Sequence, residues 1–205
     1  MTEEELIAFL EALELEGQFE MVHFEENAPI LFLFDEHHGN QNECIDRNIR
    51  NAETLIEHTD VQLIGVESHA GGVEWDQHDK KYVTNDLNEK FYRQAVADYR
   101  SGCTAFVDGL AQHGGLIQGV ESEGMIGKQH TQGETEGRNP LNELRSRHFI
   151  KTLGEEYITR GLEGNLILNC GSEHNNDIVR WINDESIEDI VGFKATYVRI
   201  NTIDQ

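Results

Sequence analysis

Basic residues are scarce in this chain: 16 Lys and Arg stand against 39 Asp and Glu in 205 residues, a formal charge of −23 with neutral histidine. With no Lys/Arg cluster, that imbalance excludes a reader of the nucleic-acid backbone, whose affinity comes from neutralising many phosphates with basic side chains. It argues equally against an anionic membrane surface as a partner. Long hydrophobic runs are missing too. The longest, Ile30 to Phe34 (ILFLF), falls far short of the ~18–20 apolar residues that span a bilayer. The chain opens Met-Thr-Glu-Glu-Glu, whereas a secretory leader opens with basic residues, so a cytoplasmic location is expected. Three cysteines, Cys44, Cys103 and Cys170, are too few and too scattered for a disulfide framework or a Cys-type zinc site. They read as buried thiols.

The residues present suffice for a core. Hydrophobic residues make up 38 % of the chain, and counting glycine brings the total near the ~45–50 % of globular domains. The length predicts a single domain spanning residues 1–205. The surplus acidity serves solubility or attracts a cation equally well, so by itself it says little about function.

Periodicity supplies the organisation. Thr2-Glu3-Glu4-Glu5 is a capping-box pattern before Leu6, Phe9, Leu10 and Leu13, which keep helical spacing up to Gly17. Phe19 to Phe24 alternates like an edge strand, and Pro29 introduces a run apolar on both faces, as a buried parallel strand requires. Further along, Asn42 to His58 reads as a helix, Val61 to Val66 as a second buried strand, and Asn85 to Gln112 as a long helix. Leu116 to Val120 reads as a third strand, and Pro140 opens a helix to about Gly161. Asn165 to Cys170 is the fourth buried strand, followed by a helix from His174 to Ile182 and a last strand from Lys194 to Ile200. The polar, glycine-bearing stretch at about 122–139 is a candidate lid loop. Alternating strands and helices predict an α/β fold, a mostly parallel central sheet flanked by helices, with its site at the C-terminal ends of the strands.

Four strands in succession end in carboxylates or imidazoles: Asp35-Glu36-His37-His38-Gly39, Glu67-Ser68-His69, Glu121-Ser122-Glu123 and Gly171-Ser172-Glu173-His174. Two histidines and two or three carboxylates converging from different strands have the composition of a site for Zn, Mn, Fe or Co. Such an ion lowers the pKa of bound water while a neighbouring carboxylate takes the proton. Without a metal, the same residues form a Glu/His pair that activates water. His38 precedes Gly39 and His174 follows the Gly171 turn, so each is placed to point back over the sheet edge, whereas His37 and His69 read as surface residues. Arg145 and Arg147 stand in the helix before the fourth strand, where either can neutralise developing negative charge.

These segments resemble the erythromycin-esterase-like and ChaN-like group, which is related to the TraB/Tiki proteins. Asp35-Glu36-His37-His38-Gly39 is similar to its G-E-x-H-(G) motif, and Glu67 in Leu63-Ile64-Gly65-Val66-Glu67 to its second-strand Glu. Arg145-Ser146-Arg147-His148-Phe149 resembles R-[DN]-x-x-[MF], and Gly171-Ser172-Glu173-His174 resembles G-x-x-H. Asp35 stands where the group has Gly, and Ser146 where it has Asp or Asn. The resemblance implies site roles for Glu36, His38, Glu67, Arg145 and His174, with Glu121 matching less closely. Members of the group include metal-dependent proteases, hydrolases that use Glu and His without a required metal, and iron or haem binders.

The expectation is therefore a metal-assisted hydrolase acting on an ester or amide of a small molecule or peptide. His38, Glu67 and His174 would hold a divalent ion (Mn, Zn, Co or Fe), Glu36 or Glu121 would be the general base, and Arg145 would stabilise the oxyanion. The alternatives are a non-catalytic metal- or haem-binding protein and a metal-free Glu/His esterase.

Overall fold

A computed structural model describes residues 1–36, 42–67, 70–72, 74–76, 81–83, 102–122 and 140–203. The chain opens with helix α1 (Glu3–Ala12), where Glu5 N–H donates to the Thr2 hydroxyl at 3.2 Å and Thr2 N–H donates to the Glu5 carboxylate at 2.8 Å. That reciprocal pair satisfies two of the amides every helix start leaves open. Strand β1 (Gln18–His23) and strand β2 (Ile30–Glu36) follow, then helix α2 (Asn42–His58) and strand β3 (Val61–Val66). Three short strands, β4 (Ala70–Gly72), β5 (Glu74–Asp76) and β6 (Lys81–Val83), come next. Helix α3 (Gly102–Gly109) and a 3-10 segment (Ala111–Leu116) lead into strand β7 (Ile117–Val120). The chain closes with α4 (Pro140–Thr159), β8 (Asn165–Gly171), α5 (Ser172–Asn183), α6 (Glu188–Val191) and β9 (Thr196–Asn201).

Seven strands form the main sheet in the order β1-β9-β2-β8-β3-β7-β4. The five inner strands run parallel, and β1 and β4 close the two edges antiparallel. The α/β architecture expected from the alternation is present. Strand β2 explains its own place: Leu31 and Leu33 face the layer of Phe149, Leu153, Ile178 and Trp181, while Ile30, Phe32 and Phe34 face the layer of Leu6, Leu10, Leu55 and Phe106. All seven of its residues are buried. A strand covered on both faces cannot alternate apolar with polar, which is why it reads as a continuous run.

Connections from β2 and β3 travel one way across the sheet and those from β7 and β8 the other. Because parallel crossovers are right-handed, the two directions put their helices on opposite faces. Accordingly, α2 and α3 cover one face and α4, α5 and α6 the other. Strand β8 thus lies between two neighbours whose chains leave over the opposite face, the arrangement that opens a crevice at the carboxyl ends.

One expectation changes in detail. Of the helix expected from Asn85 to Gln112, only Gly102–Gly109 is α-helical among the described residues, and the chain then tightens into the 3-10 segment through Gly114 and Gly115. Paired glycines favour the irregular turn over helix propagation. The segment at 84–101 and the candidate lid at 123–139 lie outside the described residues. The strands β4, β5 and β6 and the one-turn helix α6 carried no periodicity long enough to read.

Helix α4 meets α6 closely enough that a Cβ on Gly154 would run into the carbonyl of Val191. Gly154→Ala is expected to destabilise the fold by roughly 1–3 kcal/mol despite the better helix propensity of Ala. Urea unfolding checks this, and an unchanged or raised midpoint would contradict the close approach.

Candidate functional site

Arg145, in the second turn of α4, lies between the carboxylates that follow β3 and β7. Its Nη2 donates to Glu67 Oε1 at 2.8 Å and to Glu121 Oε2 at 2.6 Å, and its Nε donates to the same Glu121 oxygen at 3.2 Å. All three side chains are buried, at 5 % exposure or less. Burial works against the guanidinium charge, but Glu121 and Glu67 outweigh it and hold the Arg145 pKa above its ordinary value. The face of Phe149 lies 5.3 Å below the guanidinium carbon and adds a cation–π contact.

Glu67 is bound at both oxygens. Oε2 accepts the backbone N–H of Gly171 at 2.8 Å, and Gly171 is the N-cap of α5. A carboxylate there also faces the positive end of the helix dipole. Gly171 offers no side chain to cap the helix, and its own amide donates to Glu67. The other oxygen, Oε1, already shared with Arg145, lies 3.4 Å from His174 Nε2.

His174 sits in the first turn of α5 and is 4 % exposed. Its ring packs edge-on against Phe149, with centroids 4.9 Å apart. On its far side, Nδ1 lies 2.7 Å from the Ser146 hydroxyl oxygen, which is 2.8 Å from Asp177 Oδ2 and 2.8 Å from the Asn142 carbonyl. Ser146 stood out in the sequence only as a departure from the Asp or Asn of the resembling motif, and Asp177 not at all. The available signal was spacing: Ser146 adjoins Arg145, and Asp177 stands three residues after His174, on the same face of α5.

Glu36 belongs to a different set. One of its oxygens accepts from Asn169 Nδ2 at 2.6 Å, while Asn169 Oδ1 accepts from Asn48 Nδ2 at 3.1 Å. Asn48 also donates to the Asp35 carbonyl at 2.9 Å, tying α2 to the end of β2. On the other face, Asp35 accepts from Arg199 Nε at 2.9 Å and Asn175 Nδ2 at 2.8 Å. Burial drives the Asp35 pKa up, and Arg199 offsets only part of the shift. Burial, reinforced by Glu67, Asp35 and Glu36, pushes the Cys170 thiol well above its usual range, so it is no nucleophile despite its place at the end of β8.

The structure therefore brings together four of the expected site residues: Glu67, Glu121, Arg145 and His174. Glu36 is across β8 from Glu67, the two strands β2 and β3 flanking it. His38 lies outside the described residues, as do His37 and His69. Arg145, expected to stabilise an oxyanion, donates from Nε and Nη2 to two carboxylates. Glu121, expected as a base, is its partner.

Glu67 and His174 are the described members of the expected metal set. Their fit to a divalent cation is poor on one count: the oxygen nearest His174 is the one that the Arg145 guanidinium already binds. A dication bridging Nε2 and Oε1 would meet that positive charge within the same contact shell. Among the described residues, no group of three or more His, Cys, Asp or Glu is arranged to hold a metal.

No family model, curated protein or solved structure matches this chain.

Two outcomes follow from the charges. Arg145→Met leaves two buried carboxylates uncompensated and is expected to cost about 3–5 kcal/mol. Arg145→Met/Glu121→Gln is expected to lose less than the sum of the single changes, by about 0.5–3 kcal/mol in a double-mutant cycle; strict additivity would refute the coupling. For Asp35, the folded chain holds the proton more tightly than the unfolded chain, whose value is 3.8. Its contribution to stability is therefore greatest below 3.8 and declines as pH rises through the folded-state pKa. Unfolding free energies of the wild type minus those of Asp35→Asn should fall over that rise, and a growing difference would contradict a raised Asp35 pKa.

Proposed function

We propose that the protein is a hydrolase in which His174 and Glu67 activate a water molecule against an ester or amide of a small molecule or peptide. One observation carries the reading: His174 Nε2 and Glu67 Oε1 stand 3.4 Å apart in a buried cluster at the C-terminal edge of the parallel strands. Two carboxylates against one guanidinium leave the Glu67–Arg145–Glu121 cluster at −1. An imidazole taking a proton from attacking water becomes positive beside that charge, so the cluster approaches neutrality as the reaction proceeds. Electrostatic help that grows along the reaction is the kind that accelerates it. In this reading His174 is the general base, Glu67 holds the water's second hydrogen and stabilises the imidazolium, and Arg145 and Glu121 fix Glu67 in place. The resemblance of the four motifs to the erythromycin-esterase-like and ChaN-like group supports the same class.

A second reading, metal-assisted hydrolysis with His38 as a third ligand, is favoured by the same distance. Two ligand atoms at ~2.0–2.1 Å from a tetrahedral ion lie roughly 3.3 Å apart. Arg145 on the shared oxygen counts against it. A cytoplasmic location belongs to the proposal; no helix among the described residues is long and apolar enough to cross a membrane.

A panel of nitrophenyl esters and peptide amides tests the reaction. Any substrate turned over by the wild type is expected to lose ~10²–10⁴-fold in kcat/KM with His174→Ala and with Glu67→Gln. Turnover at the wild-type rate in either variant would overturn the assignment.

A further inference from the structure

We infer that Ser146 and Asp177 are positioning residues that fix the tautomer of His174, holding its proton on Nδ1 and leaving Nε2 as the lone-pair nitrogen toward Glu67. The inference deepens the proposed hydrolase and rests on that reading for its use, though its geometry stands alone.

Ser146 is fully buried, and its hydroxyl oxygen has three polar neighbours at 2.7–2.8 Å: the Asn142 carbonyl, Asp177 Oδ2 and His174 Nδ1. The carbonyl and the carboxylate can only accept. The hydroxyl has one hydrogen, so a lone pair on Nδ1 would leave three acceptors competing for it; on the other side of the ring Glu67 Oε1, 3.4 Å from Nε2, already accepts from Arg145 at 2.8 Å and does not depend on an Nε2 proton. With the proton on Nδ1, the imidazole donates to Ser146 and the hydroxyl hydrogen serves Asp177 or Asn142. Arg180 Nη2, which donates to Glu143 Oε1 at 2.9 Å, also lies 3.7 Å from the other oxygen of Asp177, and a neighbouring guanidinium favours the ionised, accepting carboxylate. A back-bond to the i−4 carbonyl is a common resting place for a helical serine, and here it leaves the oxygen lone pairs facing His174.

Ser146, His174 and Asp177 have the composition of a nucleophilic triad but not its order. Asp177 touches the serine rather than the imidazole, and Ser146, at 0 % exposure, faces the histidine nitrogen away from Glu67. The chain runs Asp177, Ser146, His174, Glu67, and its working end is Nε2. Neutral imidazole with its proton on Nδ1 can take a proton from water only through Nε2. The remote pair therefore sets which nitrogen is the base, as a carboxylate does when it orients a catalytic histidine directly.

Long-range proton–nitrogen correlation spectra of protein labelled in its histidine rings read the tautomer, with His174 assigned by its loss in His174→Gln. On the neutral ring, the wild type is expected to show a protonated Nδ1 and a lone-pair Nε2. Ser146→Ala removes the acceptor and is expected to move the proton to Nε2, where it donates to Glu67. Asp177→Asn is the second variant. Arg180 keeps an oxygen on its own side, so the new amide donates to Ser146, the hydroxyl donates to Nδ1, and the tautomer inverts. A wild-type ring protonated on Nε2, or a protonated Nδ1 that survives in both variants, would overturn the inference. Turnover plays no part in this readout, so failure of the hydrolase reading and failure of the tautomer reading are separately visible.

Discussion

The ends of β3, β7 and β8 are organised around one buried guanidinium. Arg145 draws the ends of β3 and β7 together through Glu67 and Glu121, and it does so from α4, which packs its apolar side on the strands. Glu67 then ties in β8 twice, by its own N–H to the Asn169 carbonyl at 3.2 Å and by its carboxylate to the Gly171 N–H. A single polar cluster thus fixes three strand ends and the starts of two helices. Its cost is substantial, since taking charges out of water offsets most of what their attraction returns, and an apolar cluster of the same shape would hold the fold as well.

The fold makes that edge by handedness. Two crossovers run each way over a right-twisting sheet, their helices divide between its faces, and β8 ends where the two sets of connections part. His174 stands on the α5 side of β8. Glu36, Asn169 and Asn48 form a polar network on the opposite face. Separate faces explain why residues that look equivalent as strand-end carboxylates take different partners.

The architecture was legible because β2, β3 and β8 are buried on both faces and carry short apolar runs, at residues 30–34, 63–66 and 166–168, and because Thr2 and Pro140 mark helix starts. The short strands β4, β5 and β6 were not legible: three residues contain too little periodicity, and β4 is held by pairing to β7 rather than by its own pattern. At the site, placement at strand ends identified Glu67, Glu121 and His174, and scarcity of arginine drew attention to Arg145. Partnership was another matter. That Arg145 would be spent on two carboxylates depends on the angle at which α4 crosses the strands, and that Ser146 would meet His174 depends on α4 and α5 lying side by side. Neither angle is written in local sequence.

The claim at the centre is that Glu67 and His174 face each other as a proton-transfer pair clamped by Arg145, with no ion between them. Elemental analysis of the purified protein, before and after chelation and beside a His174→Ala/Glu67→Gln variant, tests it most directly. The account predicts no stoichiometric ion that depends on those two residues, and hydrolysis that survives chelation. One equivalent of a divalent metal, present in the wild type, absent from the variant and required for turnover, would contradict it.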